Sequence, residues 1–172
     1  FGCRVEDLFV ESPAPESLPV QVVNGGAEPS MRLALGRVRD RVVGFPLHGM
    51  ESVPFGLRSA DGLLARDGKS ARILTPTDHL GKTVLLMGCD PAFEILGRHV
   101  SRQAPDARVH CRFASSHQAL NSLAQGITHV AGTHLHNSGK TESNVQAARQ
   151  RLPASSRAST RGRAHARHAR RG

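Results

Sequence analysis

Apolar and polar positions form their clearest pattern between residues 83 and 131, where short apolar runs alternate with segments of helical period. Thr83–Met87 is apolar and starts with a β-branched residue, which is typical of a buried strand. Residues 92–103 space their apolar side chains three and four positions apart, which predicts a helix whose apolar face includes Ile95 and Leu96. The chain then repeats this order of strand and helix.

A second strand, a second helix and a third strand follow. Arg108–Phe113 alternates apolar and polar side chains, which predicts a half-exposed strand with an outer side formed by Arg108, His110 and Arg112. Ser115 and Ser116 suit the start of a helix that Gly126 ends, and Thr128–Ala131 is the third strand. The order β-α-β-α-β predicts a parallel sheet with right-handed crossovers, so the fold class is α/β.

Both strand-to-helix turns are expected at one edge of this sheet, because parallel strands end together where such folds bind ligands. The two turns hold four candidate ligand-binding residues, Cys89, Asp90, Ser115 and Ser116. The backbone N–H groups at the helix starts and the serine hydroxyls are donors, which suit an anion. Asp90 is expected to cap its helix, with its carboxylate facing away from the ligand. The alternative is that Ser115 or Ser116 serves only as an N-cap.

The residues before this unit predict a small β region. Arg32–Val38 and Arg41–Phe45 are apolar segments separated by a two-residue turn, which indicates a hairpin. Asp61 lies within an Ala-Asp-Gly sequence that is typical of a tight turn. Residues 10–30 are rich in proline and glycine, which predicts a linker.

The last residues of the chain differ in kind from the rest. The apolar spacing of Asn144–Leu152 predicts one further helix. Residues 153–172 then contain only Pro, Ala, Ser, Arg, Thr, Gly and His. Such a segment has no large apolar side chain to bury, so it is predicted to be disordered. Two interpretations of this arginine-rich tail stay open: a basic arm that binds nucleic acid, or the translated wrong frame of a GC-rich gene.

Composition narrows the class of protein. The 172 residues can bury one core, and the net charge of +9 includes six tail arginines, which leaves +3 for residues 1–152. No apolar run is long enough to span a membrane, and no signal segment follows Phe1. The three cysteines are widely spaced, which argues for a reducing compartment and predicts a cytoplasmic protein.

The sequence gives little support for nucleophilic catalysis or for metal binding. Cys89 at a helix start could act as a nucleophile, but the sequence provides no evident base, so no enzyme is predicted. His129, His134 and His136 lie close in sequence, yet no C-x-x-C or H-E-x-x-H spacing accompanies them. We therefore expect neither a metal nor a cofactor.

Three sequence motifs of the chain together resemble a known family. GCDPAFEIL, SSHQALNSLAQGITHVAGTHL and the E-x-N that begins at Glu142 resemble the periplasmic-binding-protein-like domain of bacterial helix-turn-helix regulators, a domain similar to molybdate-binding proteins. GCRVEDLF, at residues 2–9, resembles the closing element of a helix-turn-helix domain. The resemblance implies a chain truncated at both ends, with this order of parts: helix-turn-helix remnant 1–9, linker 10–30, partial binding domain 31–152, disordered tail 153–172.

The same resemblance implies a function. Intact relatives are one-component transcriptional regulators, in which a small solute or an oxyanion such as molybdate alters DNA binding. The DNA partner would be bound by a helix-turn-helix domain missing from this chain, and a homodimer is left open. Two alternatives remain: a solute-binding protein of an oxyanion transport system, and a nucleic-acid-binding protein that acts through its basic tail.

Overall fold

The computed structural model of the chain describes residues 15–23, 28–48, 59–135 and 143–152. These residues form nine strands in two sheets, together with four helices. The strands are β1 (Ser17–Pro19), β2 (Gln21–Val22), β3 (Arg32–Val38), β4 (Arg41–Pro46), β5 (Gly62–Leu64), β6 (Ser70–Ile73), β7 (Thr83–Gly88), β8 (Arg108–Phe113) and β9 (Val130–Ala131). The helices are α1 (Asp78–Gly81), α2 (Ala92–Gln103), α3 (Ser116–Ala124) and α4 (Ser143–Arg151).

The first six strands form one sheet in the order β1-β6-β5-β3-β4-β2. Its two edge strands, β1 and β2, follow each other in the chain, and only Val20 separates them. Because one residue spans at most about 3.6 Å, the two edges must lie side by side, and the sheet is rolled on itself. We call these six strands the rolled sheet. Its interior is an apolar cluster that includes Leu33, Leu35, Leu64, Ile73 and Leu80 of α1.

The strands β1 and β2 lie inside the segment that the sequence predicts as a linker. Leu18 and Val22 pack against the interior of the rolled sheet, and this burial holds the segment in extended form. Pro19 is compatible with a strand here because an edge strand can leave one side of its backbone unpaired. The linker prediction for residues 10–30 is therefore wrong at residues 17–22.

The hairpin of β3 and β4 is confirmed and joins the two sheets. The register ends with Val38 opposite Arg41, and Arg39 in the turn has a φ of 58°. One face of the hairpin lines the interior of the rolled sheet, and the other packs on β7. At Gly36 the approach is close, since an added Cβ would lie 2.8 Å from Cγ of Leu85. Both faces of this hairpin are thus buried.

The predicted α/β unit is also confirmed. β7 is the central strand of a second sheet, with β8 parallel to it on one side and β9 parallel to it on the other. Successive residues of a strand point to opposite faces. Leu85 packs with the rolled sheet and α3, whereas Leu86 packs with the Phe93 side of α2. The two helices therefore cover opposite faces of this sheet, and we call β7 to β9 with α2 and α3 the parallel unit.

The apolar face predicted for α2 is only partly correct. Phe93 and Val100 pack against the sheet, but no side chain of this helix is fully buried. Ile95 and Leu96 are 58% and 44% exposed, respectively. The helix lies on its sheet through a narrow stripe because a three-stranded sheet offers little surface to cover.

The half-exposed strand predicted at β8 is wrong. His110 and Arg112 are buried, although alternation assigned them to solvent. The reason is tertiary: the face that carries His110 meets Asp61, which precedes β5 of the rolled sheet. Both faces of β8 are therefore covered, one by α2 and the other by residues that are distant in sequence.

Asp61 is the polar joint between the two sheets. It is 4% exposed; Oδ1 accepts a hydrogen bond from Nη1 of Arg108 at 2.6 Å, and Oδ2 accepts one from Nε2 of His110 at 2.9 Å. Oδ2 also accepts the N–H of Leu35 at 2.9 Å. Burial by itself raises the pKa of the Asp61 carboxyl, but these donors and charges outweigh it and lower the pKa below its ordinary value of 3.8.

Two of the predicted segments lie outside the described residues. These are the helix-turn-helix remnant at residues 1–9 and the tail at residues 153–172. Within the described part of the chain, no helix has both the length and the apolar character needed to cross a membrane.

Candidate functional site

The candidate site lies where the strands of the parallel unit end. The turn after β7 leads to α2 on one face of the sheet, and the turn after β8 leads to α3 on the other face. Neighbouring turns that diverge in this way leave a crevice between them, which is the place where α/β sheets bind ligands. Gly88 and Phe113 are paired in register, so the two turns start side by side.

A cleft of about 530 Å³ opens at this crevice. Cys89, Ser115 and Ser116 all line it, so the structure brings together three of the four residues that the sequence singles out. Asp90 is not among its lining residues. A ligand-binding role for these four residues remains a prediction.

Ser115 takes the N-cap position of α3. Its Oγ accepts a hydrogen bond from the N–H of Gln118 at 3.3 Å, and the side chain of Gln118 accepts the N–H of Ser115 at 3.0 Å. This reciprocal pair is a capping box, which fixes the start of the helix at the cleft. The N-cap interpretation of Ser115 is thus confirmed. A hydroxyl has one donor and two acceptor positions, so Ser115 keeps its O–H to donate.

Ser116 is held more tightly than its neighbour. It is 6% exposed, and its Oγ accepts the N–H of His134 at 2.8 Å. This bond ties the start of α3 to the segment that follows β9. As with Ser115, accepting a bond uses a lone pair and leaves the O–H available as a donor.

Asp90 lies outside the cleft, but it is not the N-cap that the sequence predicts: Pro91 takes that position, without a side-chain cap hydrogen bond. Oδ1 of Asp90 accepts the N–H of Ala92 at 2.9 Å, in the first turn of α2. It lines a separate groove of about 220 Å³ together with Pro91 and Phe93. A carboxylate in the cleft would repel an anion, so its placement on the α2 side leaves the cleft free of that charge.

Six of the nine described lining residues are not among the candidates from the sequence. His117 and Gln118 follow the serines in α3, and His134 and Leu135 follow β9. A signal for the last two existed, because β9 is parallel to β7 and its end must reach the same edge of the sheet. Phe113 also lines the cleft, as the last residue of β8.

Charge in the cleft comes from few sources. None of its described lining residues is Asp, Glu, Lys or Arg. The start of α3 contributes the partial positive charge of a helix N-terminus, and the N–H groups of Ser116 and His117 have no partner inside the helix. The described part of the cleft is therefore rich in donors and lacks a carboxylate.

The β9 side of this edge is filled by Phe93. A Cβ added to Gly132 would lie 2.2 Å from Cζ of the ring, and one added to Gly88 would lie 2.5 Å from Cε2. Both glycines are required here because the ring lies directly on their backbone. The ring of Phe93 therefore occupies the space directly beside Gly88 and Gly132.

Metal binding finds no support among the described residues, where no group of three His, Cys, Asp or Glu side chains is placed to hold an ion. His129 has a structural role instead. The N–H of Leu85 donates to its Nδ1 at 3.0 Å, and its Nε2 donates to the carbonyl of Arg37 at 3.0 Å. Both ring nitrogens are used to join β7 to the hairpin. His136 lies outside the described residues.

One comparison with known proteins finds a match. Residues 97–161 match the profile of a PBP-like family, described as a PBP superfamily domain. The matched range includes β8, α3, β9 and α4, and it ends past the boundary predicted at residue 153. Neither a curated protein nor a solved structure matches the chain. PBP-like domains are typically binding proteins, and the α/β architecture with its parallel sheet is consistent with part of such a lobe. Over residues 97–161, the chain is therefore similar to a ligand-binding domain of the PBP superfamily.

Proposed function

We propose that the cleft between the two turns binds a small anionic solute, and that the chain is the ligand-sensing part of a bacterial one-component transcriptional regulator. One observation carries the binding proposal. The turns after β7 and β8 diverge at the carboxyl edge of the parallel sheet, and every described residue that lines their cleft except Cys89 lies in the region similar to a binding-protein domain.

The donors in the cleft support an anion as the ligand. The O–H groups of Ser115 and Ser116 remain free to donate after each Oγ has accepted its backbone N–H. The first N–H groups of α3 add further donors, and none of the lining residues that the structure describes carries a carboxylate. Oxyanions such as molybdate, which the sequence resemblance suggests, are the simplest ligands of this kind.

The regulatory part of the proposal rests on the sequence resemblance. A solute alters DNA binding only if it binds one arrangement of the intact protein better than another. In this proposal a helix-turn-helix domain encoded upstream of Phe1 contacts the DNA. Sequencing the gene on the 5′ side tests this directly: an in-frame helix-turn-helix segment supports a regulator, whereas a secretion signal would favour the transport alternative.

Calorimetric titration of the full chain with molybdate, sulfate and phosphate tests the binding proposal. We expect at least one of these anions to bind and to raise the melting temperature, since a ligand at about 100 times its Kd adds about 2.7 kcal/mol of stability. Ser116→Ala should weaken this binding by about ten-fold, because it removes a donor from the cleft.

Ser101→Ala is the matched control for that experiment. Ser101 lies in α2, where its hydroxyl donates to the carbonyl of Gly97 at 3.2 Å, away from the cleft. The control should leave anion affinity unchanged. Equal affinities for the wild type, Ser116→Ala and Ser101→Ala would place any bound anion elsewhere on the chain.

A further inference from the structure

Phe113 occupies an unusual place for a large aromatic side chain. It is the last residue of β8 and is 53% exposed, although the rest of the strand is largely buried. Its ring lines the cleft together with Cys89 and Ser115. An aromatic ring gains stability when it is covered, so a ring held open at a cleft is a surface on which a ligand gains affinity.

A second hollow meets the cleft at this same ring. The groove on the α2 side of the edge also includes Phe113. Its apolar lining comes from Pro91, Phe93 and Cys111, and Asp90, Glu94 and Arg112 line it as well. Three phenylalanines lie in the described residues, and two of them, Phe93 and Phe113, are at this edge. Apolar surface therefore continues from the groove into the cleft, which distinguishes Phe113 from an isolated exposed residue.

The size of the cleft also bears on the ligand. Its volume of about 530 Å³ lies within the range of about 300–1,000 Å³ that suits organic ligands. A tetrahedral oxyanion has five heavy atoms, and even a water molecule occupies about 30 Å³. A bare oxyanion at the serines would leave Phe113 and Leu135 in contact with water.

We propose that the ligand is an organic anion with a flat apolar ring, such as an aromatic carboxylate. Its carboxylate lies at the start of α3, near Ser115 and Ser116, and its ring packs on Phe113. This inference rests on the proposed function, because it takes the anion site from it, and it adds the chemical class of the ligand. Phe113 is then the residue that discriminates an organic anion from an inorganic one.

Two probes separate these classes. 2-Naphthoate carries a carboxylate on a flat ring system, and molybdate carries charge alone. The full chain contains neither Trp nor Tyr, so naphthoate fluorescence can be followed without tryptophan or tyrosine emission from the protein. We expect 2-naphthoate to bind at least about ten-fold more tightly than molybdate, because only it covers the ring of Phe113.

Substitution of Phe113 sharpens the test. Phe113→Ala should weaken 2-naphthoate binding by about ten-fold or more and leave the affinity for molybdate within about two-fold. Phe113→Leu keeps an apolar side chain without the flat ring, and should fall between the two. Leu74→Ala is the matched control, because Leu74 is 50% exposed and directly follows β6 of the rolled sheet, away from the cleft. It should change neither affinity.

The remaining outcomes separate this inference from the proposed function. If molybdate binds as tightly as 2-naphthoate, and Phe113→Ala affects neither, the inference is wrong and the anion site stands. If the uncharged 2-naphthamide binds as tightly as 2-naphthoate, the anion requirement is wrong, and both proposals fall. If neither anion binds, both proposals are likewise overturned.

Discussion

The rolled sheet and the parallel unit are both built from short apolar strands, but their edges differ. In the rolled sheet the two edges meet at Val20, and the interior is filled by side chains such as Leu33 and Leu35, which have no exposed surface. In the parallel unit the carboxyl edge stays open, and Phe113 and Leu96 remain partly in water. The rolled sheet therefore buries its apolar surface, whereas the parallel unit leaves part of its apolar surface exposed to water.

This difference assigns the two regions different tasks. The edge strands of the rolled sheet have just three and two residues, so they offer little free edge to a partner, and burial in this sheet contributes mainly to stability. Turns at the end of a parallel sheet can vary without disturbing the core, and binding sites are often built from such turns. We therefore expect substitutions in the rolled sheet to lower the free energy of unfolding, and substitutions at the open edge to act mainly on ligand binding.

Truncating one leucine in each region gives the largest contrast. Leu35→Ala should lower the free energy of unfolding by about 3 kcal/mol, within the usual range for a fully buried leucine. Leu96→Ala, on the exposed side of α2, should cost less than about 0.5 kcal/mol. Urea denaturation measures both values. Similar losses for the two variants would contradict the division of tasks between the regions.

Asp61, the polar joint between the two regions, gives the next largest expected effect on stability. Asp61→Asn removes the charge that faces Arg108 and His110, and it should cost about 3 kcal/mol because a buried ion pair loses one partner. Asp78→Asn is the control, since it breaks an exposed pair with Lys82 and should have little effect on stability. If the two variants unfold at the same urea concentration, Asp61 does not join the sheets as described.

Gly132→Ala tests the packing that closes the β9 side of the open edge. The added methyl group would lie 2.2 Å from the ring of Phe93, so the ring must shift, at a cost of about 2 kcal/mol. Gly81→Ala is matched to it, because no atom lies within 4 Å of the added Cβ there. That control should be neutral or slightly stabilising. Thermal unfolding of both variants decides whether Phe93 is as fixed as the structure indicates.

A smaller effect is expected at the start of α3. Ser115→Ala removes the acceptor for the N–H of Gln118 and should lower stability by about 1 kcal/mol, as is usual for a lost N-cap. Ser115→Asp should restore most of that stability, because aspartate also caps, but its charge should weaken anion binding in the cleft. An aspartate variant that binds anions as well as the wild type would move the ligand away from Ser115.

The smallest predicted effect is a dependence on pH. Because the folded state lowers the pKa of Asp61, its ionised form contributes stability above the unfolded pKa and loses it as the pH falls through the folded value. The free energy of unfolding should therefore decline below about pH 4, and the decline should be shallower in Asp61→Asn. Chemical denaturation across that range measures the difference. Parallel pH profiles would show that Asp61 is not the group responsible.

Much of the fold followed from local pattern. The hairpin of β3 and β4 and the strand–helix order from β7 to β9 were predicted because each element has its own period and turn residues. The strands β1 and β2 were missed because prolines, common in linkers, are also accepted at sheet edges. Asp61 was predicted as a turn residue, since nothing in its neighbourhood indicates the distant Arg108 and His110.

The candidate site divides in the same way. The predicted parallel topology by itself brings Cys89, Ser115 and Ser116 to one edge, and the structure places them around one cleft. The contributions of His134 and Phe113 depend on how the chain after β9 and the end of β8 are held in space. The sequence positions of His134 and Phe113 do not by themselves determine that these residues line the cleft.

The amino-acid sequence by itself determined the α/β class, the order of the parallel unit and the position of its turns, because these depend on side chains that are close along the chain. The tertiary structure alone decided that residues 17–22 are strands, that the polar side of β8 is buried, and that Phe113 stays open at the cleft. The physical reason is that burial depends on which distant surfaces meet. Local periodicity records which side chains share a face, and only the packed chain shows what covers that face.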